Sequence, residues 1–169
     1  NVLVALALTA DARGPRGALS RFFTRPDVHT ATAMCIVIVA AIYNLMLRQL
    51  WQPHGWQIVA DNTLHVVMPA LFLLYWGLAV PKATLRWPQV MMWQLYPAAY
   101  FVYVLARGAM NGWYPYPFLD VTTLGYLRVV IDACMVLLVF VAVALLLVAL
   151  GRWQVRRSNR TAATLPTQP

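Results

Sequence analysis

Asp61 and His65 stand four residues apart where the chain turns apolar, and the eleven residues from Ala70 to Val80 carry no charge at all. On a helix that spacing puts both side chains on one face. An imidazole beside a carboxylate can take up and pass on a proton, so the pair is a candidate functional site. Ionisable groups within an apolar run are costly in a membrane and mark a bundle interior or a wet cavity. Each residue also has a plainer reading. Asp61 before an apolar run suits a helix N-cap, and His65 alone could hydrogen-bond between helices. Asn44, Asn62, Arg107, Tyr114 and Tyr116 are the further polar candidates for lining such a cavity. Asp120 is a further candidate for the cavity wall, although Thr122 and Thr123 after it favour a cap or loop clasp.

The chain that positions these residues has 169 residues, 62% hydrophobic and only 11% charged. That is more apolar surface than a soluble core of this size needs, so the chain reads as an integral membrane protein with membrane lipids as its surroundings. The net charge of +8 resides in arginines between and after the apolar runs. There they read as topology signals and contacts with anionic headgroups, which argues against nucleic acid as a partner. Cys35 and Cys134 fall inside apolar runs and suggest no disulfide framework. No cofactor motif is present, and His54, Asp61, His65 and Asp120 lack the compact spacing of metal ligands. Oligomeric state is left open.

The expected fold is all-α and polytopic: half a span plus four complete transmembrane helices. Residues 1–152 form a single transmembrane domain, and 153–169 form a basic, disordered, cytoplasmic tail. The partial span covers 1–10, too short to cross a bilayer that needs about 20 residues. With no initiator Met, the chain reads as an N-terminally truncated fragment. Complete spans are expected at about 30–47, 62–80, 89–106 and 127–151, with outer loops at 48–61 and 107–126. Pro69 and Pro97 lie inside spans, which membrane helices tolerate where neighbours satisfy the freed carbonyls. The Tyr96, Tyr100, Tyr103 series has helical spacing and reads as packing. Arg128 and Asp132 form a structural i,i+4 pair.

Alternate loops share a side of the membrane. The loops 11–29 and 81–88 and the stretch from Arg152 onward hold ten of the thirteen Lys and Arg residues, against Arg48, Arg107 and Arg128 elsewhere. The basic side is expected to be cytoplasmic. At a rise of 1.5 Å per residue, Asn44 lies about 21 Å above Thr30 and His65 about 22 Å above Val80. Both then sit at one level near the outer edge of the hydrocarbon, below the loop that carries Trp113 to Asp120.

Several strings resemble a known family. They are Trp51-x-Pro53-x-Gly55-Trp56-Gln57-x-x-Ala60-Asp61-x-x-x-His65, Pro81-Lys82, Tyr96-Pro97 with Arg107-Gly108, and Gly112-Trp113-Tyr114-Pro115-Tyr116-Pro117-Phe118-Leu119-Asp120-Val121. Together they resemble the bacterial Pr-six-Pr membrane proteins, which are similar to the eukaryotic androgen-induced gene family of membrane threonine hydrolases. The resemblance implies a six-span fold and hydrolysis of fatty-acid esters by a Thr nucleophile and a His. His65 matches that His as general base, and Asp61 becomes its possible orienter. The family's Thr lies in a Phe-Thr-x-Gln-Ser-Asn string whose last residue corresponds to Asn1, so the nucleophile is expected about four residues upstream. Phe22-Phe23-Thr24 mimics the string, but it lies in the basic loop and is rejected. The alternatives are a non-enzymatic membrane protein with a small-solute or proton pathway lined by Asn44, Asp61 and His65, or a scaffold subunit.

Overall fold

The structure is a computed structural model and describes residues 1–50 and 52–163; Trp51, and with it one residue of the first family string, lies outside them. Every regular element among the described residues is a helix. In chain order they are α1 (Val2–Arg13), α2 (Ala18–Phe23), α3 (Pro26–Ile42), α4 (Trp56–Asn62), α5 (Met68–Ala79), α6 (Gln89–Trp93), α7 (Leu95–Asn111) and α8 (Val121–Ala163). Two turns of π-helix interrupt the α geometry. Tyr43–Leu47 extends α3, and Thr63–Val67 joins α4 to α5.

Three helical stretches are long and apolar enough to cross a membrane: Pro26–Leu47, Trp56–Ala79 and Val121–Thr161. The segment expected as a span at 89–106 differs. It divides at Gln94 into α6 of 5 residues and α7 of 17 residues. Pro97 has no N–H to give the Trp93 carbonyl, so the ladder resumes only with Ala98 N–H to Gln94 O at 3.0 Å. The end of the chain also differs from expectation. Residues 153–163, expected to be disordered, continue α8, because Gln, Arg and Ala propagate a helix and no Pro or Gly intervenes. At its other end α8 is broken at Gly125, whose φ of 74° and ψ of 159° suit glycine alone, so its continuous part starts at Tyr126.

Small residues let the helices meet closely, as they do in membrane bundles. Val4, Ala7 and Ala10 of α1, Ala33 and Met34 of α3, Phe72 and Trp76 of α5, and Ala144 and Val148 of α8 form the main core. A second cluster lies at the site end, where Val104, Leu119 and Val129 pack with Tyr114, Tyr116 and Phe118. Leu71, Leu74 and Leu78 of α5 and Met91 and Met92 of α6 point away from the core and are exposed. That outer surface suits lipid rather than water.

Polar ties fix the far end of the bundle. The Trp76 indole donates to Thr30 Oγ1 at 2.9 Å, joining α5 to α3. His29, only 2% exposed, sits with Nε2 2.7 Å from Asp11 Oδ2 and Nδ1 3.0 Å from the Arg25 carbonyl. Tyr75 donates to the same Asp11 oxygen, so one carboxylate binds α1 to both α3 and α5. Lys82 folds back over the end of α5, its Nζ donating to the Trp76 and Val80 carbonyls at 2.5 Å each and to Gly77 O at 3.2 Å. Burial lowers the Lys82 pKa, while those three acceptors hold its protons in place. Lys82→Met is therefore expected to cost about 1–3 kcal/mol, because buried carbonyls lose their donor. Thermal unfolding in detergent should show the loss, with Lys82→Arg much closer to the parent.

Candidate functional site

The site forms where the two π turns face each other. A π turn carries one residue more than the α ladder and is frequently found at functional positions. Here it re-aims the residues on both helices: Tyr43 and Asn44 lie in one turn, His65 in the other. The Asn44 amide donates to the His65 carbonyl at 3.1 Å and to Ala40 O at 2.8 Å. It ties the two irregular backbones together, at the common level that helix rise gives these two residues.

His65 is held on three sides. Its Nδ1 lies 3.2 Å from Asp61 Oδ1 and 3.1 Å from the Asp61 carbonyl oxygen. The Tyr43 ring stacks on the imidazole with centroids 3.7 Å apart and planes 10° from parallel. Tyr43 also donates its hydroxyl to Asp61 Oδ2. A carboxylate and a carbonyl only accept, so the proton of a neutral His65 belongs on Nδ1 and the lone pair on Nε2. Nε2 has no hydrogen-bond partner among the described residues. His29 offers the contrast, since both of its ring nitrogens are occupied.

A cavity of about 320 Å³ opens beside His65. Cys35, Ile38 and Ile42 of α3, Tyr96 and Tyr100 of α7, and Val136 and Phe140 of α8 form its apolar walls. Tyr43 and His65 stand at its polar end, and Tyr116, Phe118 and Leu119 of the 112–120 loop close over it. Tyr116 stacks on Phe118 with centroids 5.4 Å apart. Burial, helped by Tyr100, raises the Tyr116 pKa well above the ordinary phenol value, so its hydroxyl keeps its proton at neutral pH.

The other candidates are placed differently. Asn62 donates to Ile58 O at 2.9 Å, and its carbonyl faces Arg48 Nη2 at 3.4 Å. Arg48 also bonds Asn44 Oδ1 at 3.1 Å and so bridges the two asparagines. Arg107 lies over the Trp113 ring at 5.1 Å, and Tyr114 packs onto Gly108; neither lines the cavity. Asp120 does not line it either: its Oδ1 takes the Thr122 amide at 2.9 Å and hydroxyl at 2.5 Å. These bonds lower the Asp120 pKa, the Thr122 hydroxyl foremost, so the clasp is intact at neutral pH and is lost as acid titrates it below the usual carboxylate range. Thr24 donates to Arg21 O at 3.2 Å in the α2–α3 turn, away from His65. His54 is exposed in the loop before α4.

Sequence reasoning passed over Tyr43, Arg48 and the Tyr96 and Tyr100 walls. Arg48 carried a signal, a charge one turn beyond Asn44, and Tyr96 and Tyr100 a helical spacing that reads as packing; Tyr43 carried none. No protein-family model, curated protein or solved structure matches the chain.

Proposed function

We propose that the chain is a membrane-embedded lipid-ester hydrolase whose general base is His65. One observation carries this reading: a histidine with Nδ1 fixed by Asp61 and Nε2 unpartnered stands at the polar end of an otherwise apolar cavity. A fatty chain fits such walls, and its ester group then lies at the His65 level. The four-span, six-helix-bundle and Pr-six-Pr readings belong to this proposal and rest on the motif strings quoted above.

The nucleophile in this scheme is the Thr that the resemblance places upstream of Asn1. The geometry suits it, since Asn1 Nδ2 donates to Leu64 O at 3.2 Å and α1 thus starts beside the π turn of His65. The Thr hydroxyl attacks the ester carbonyl carbon while its proton passes to His65 Nε2. The imidazolium returns that proton to the departing alkoxide, and water then hydrolyses the acyl-enzyme to the free acid by the same route. Tyr116, a protonated donor in the cavity wall, is the best placed of the candidates for the oxyanion. Cys35 also lines the cavity, but it lies eight residues before Tyr43, about 12 Å along α3, too far to serve His65.

The Tyr43–Asp61–His65 chain of titratable groups also favours a second reading, a proton pathway. Proteoliposomes of the chain extended upstream of Asn1 distinguish the two: we expect release of fatty acid from a long-chain ester without proton flux. Flux without hydrolysis would sink the enzyme reading. The basic loops and tail are placed on the cytoplasmic side by the same proposal. With Cys35 and Cys134 replaced, Asn111→Cys should react with an impermeant thiol reagent in intact cells and Ser158→Cys should not. The reverse pattern inverts the topology.

A further inference from the structure

At the end of the bundle opposite His65, a second recess of about 170 Å³ lies between the turn after α5 and the last part of α8. Lys82, Ala83 and Leu85 line one side and Arg152, Val155 and Arg156 the other. The two sides meet at Gly151, where an added Cβ would come within 2.9 Å of Leu85 and 3.2 Å of the Lys82 stem. Arg152 Nη1 reaches the Leu85 carbonyl at 3.4 Å, and its guanidinium lies 5.8 Å from the Trp87 ring centroid. Arg156 has no hydrogen-bond or ion-pair partner among the described residues.

No aspartate among the described residues is free to balance these cations. The five carboxylates are all engaged elsewhere: Asp11 with His29 and Tyr75, Asp27 with Arg25, Asp61 with His65 and Tyr43, Asp120 with Thr122, and Asp132 with Arg128. A concave site with two guanidinium groups takes a compact anion, and a phosphate group matches guanidinium forks best; the Lys82 ammonium, its three donors taken by carbonyls, adds only its charge nearby. Exposed Trp87 and Trp153 flank the recess and mark the headgroup level of a bilayer. We propose that the recess binds the phosphate of an anionic glycerolipid headgroup. Free phosphate offers the same chemistry without the acyl anchor, and the test separates the two sources.

The chain is reconstituted in nanodiscs of phosphatidylcholine with a minor share of phosphatidylglycerol, and retained lipid is counted by native mass spectrometry. The parent is expected to retain phosphatidylglycerol preferentially. Arg152→Gln with Arg156→Gln should weaken that retention about 10- to 30-fold. Arg13→Gln with Arg16→Gln removes the same charge at the same end of the bundle and should change it little. Ala83→Glu, at an exposed position that folds readily, sets a carboxylate into the recess and should weaken retention as the double variant does. Equal weakening by the two double variants would show diffuse attraction and overturn the site. Retention unchanged by Ala83→Glu, or no preference for phosphatidylglycerol, overturns it too. Displacement of the lipid by inorganic phosphate would assign the recess to the free anion and overturn the lipid reading.

Discussion

In the chain extended upstream of Asn1, His65→Ala is expected to lower hydrolysis of a long-chain fatty ester by about 10²- to 10⁴-fold, the usual worth of a positioned general base. The loss should appear in kcat, since the apolar walls that bind the chain are untouched. Asp61→Asn should be milder, about tenfold to a hundredfold, for a reason visible in the geometry. The carbonyl oxygen of residue 61 remains 3.1 Å from Nδ1 and still favours the tautomer with a free Nε2. What is lost is the carboxylate's stabilisation of the imidazolium. Thr24→Ala, in the α2–α3 turn, should leave the rate unchanged. Equal rates with and without His65 would end the hydrolase reading.

The second large effect concerns the loop over the cavity. Gly108 of α7 lies against Tyr114 so closely that an added Cβ would come within 2.0 Å of a carbon of the phenol ring. Gly108→Val must therefore expel Tyr114 from its packing with Val104, Leu119 and Val129. Overpacking of this kind costs about 1–3 kcal/mol, enough to raise the open population of the 112–120 loop about 5- to 150-fold. Because Leu119, Phe118 and Tyr116 leave with it, water gains the cavity and its one thiol, Cys35. With Cys134 replaced by Ala, labelling of Cys35 by a small soluble maleimide should accelerate by that factor. An unchanged rate would show that the loop is not what closes the cavity.

Local spacing made part of this site legible. Asp61 and His65 are i and i+4, and helical geometry alone brings the two side chains together. Helix rise likewise puts Asn44 and His65 at one level, and the 3.1 Å bond between them is the structural counterpart. Tyr43 was not legible, because an aromatic residue inside an apolar run looks like any other core position. The π turns have no local sequence signature, and the bonds that join them, Tyr43 to Asp61 and Asn44 to the His65 carbonyl, run between separate helices. The Asp11–His29–Tyr75 clasp joins residues 18 and 64 positions apart, a distance that only the packed bundle resolves. Composition also misled at α8. A run of arginines after a span reads as a solvated tail, yet nothing in 153–163 stops a helix already under way.

The π turn at Thr63–Val67 adds one residue to the helical run that leads from α4 into α5. The surplus residue acts as a frame shift within a helix. It turns everything on one side of it by about 100° relative to the other. The face that carries Asp61 and His65 and the face of α5 that packs Phe72 and Trp76 are thereby aligned by a change in residue count, with no change of residue type. Loss of one codon from this stretch would restore the α ladder and swing the dyad off the cavity while α5 kept its packing. In such a fold, a single-residue insertion or deletion can assemble or dismantle the site without replacing any of its residues.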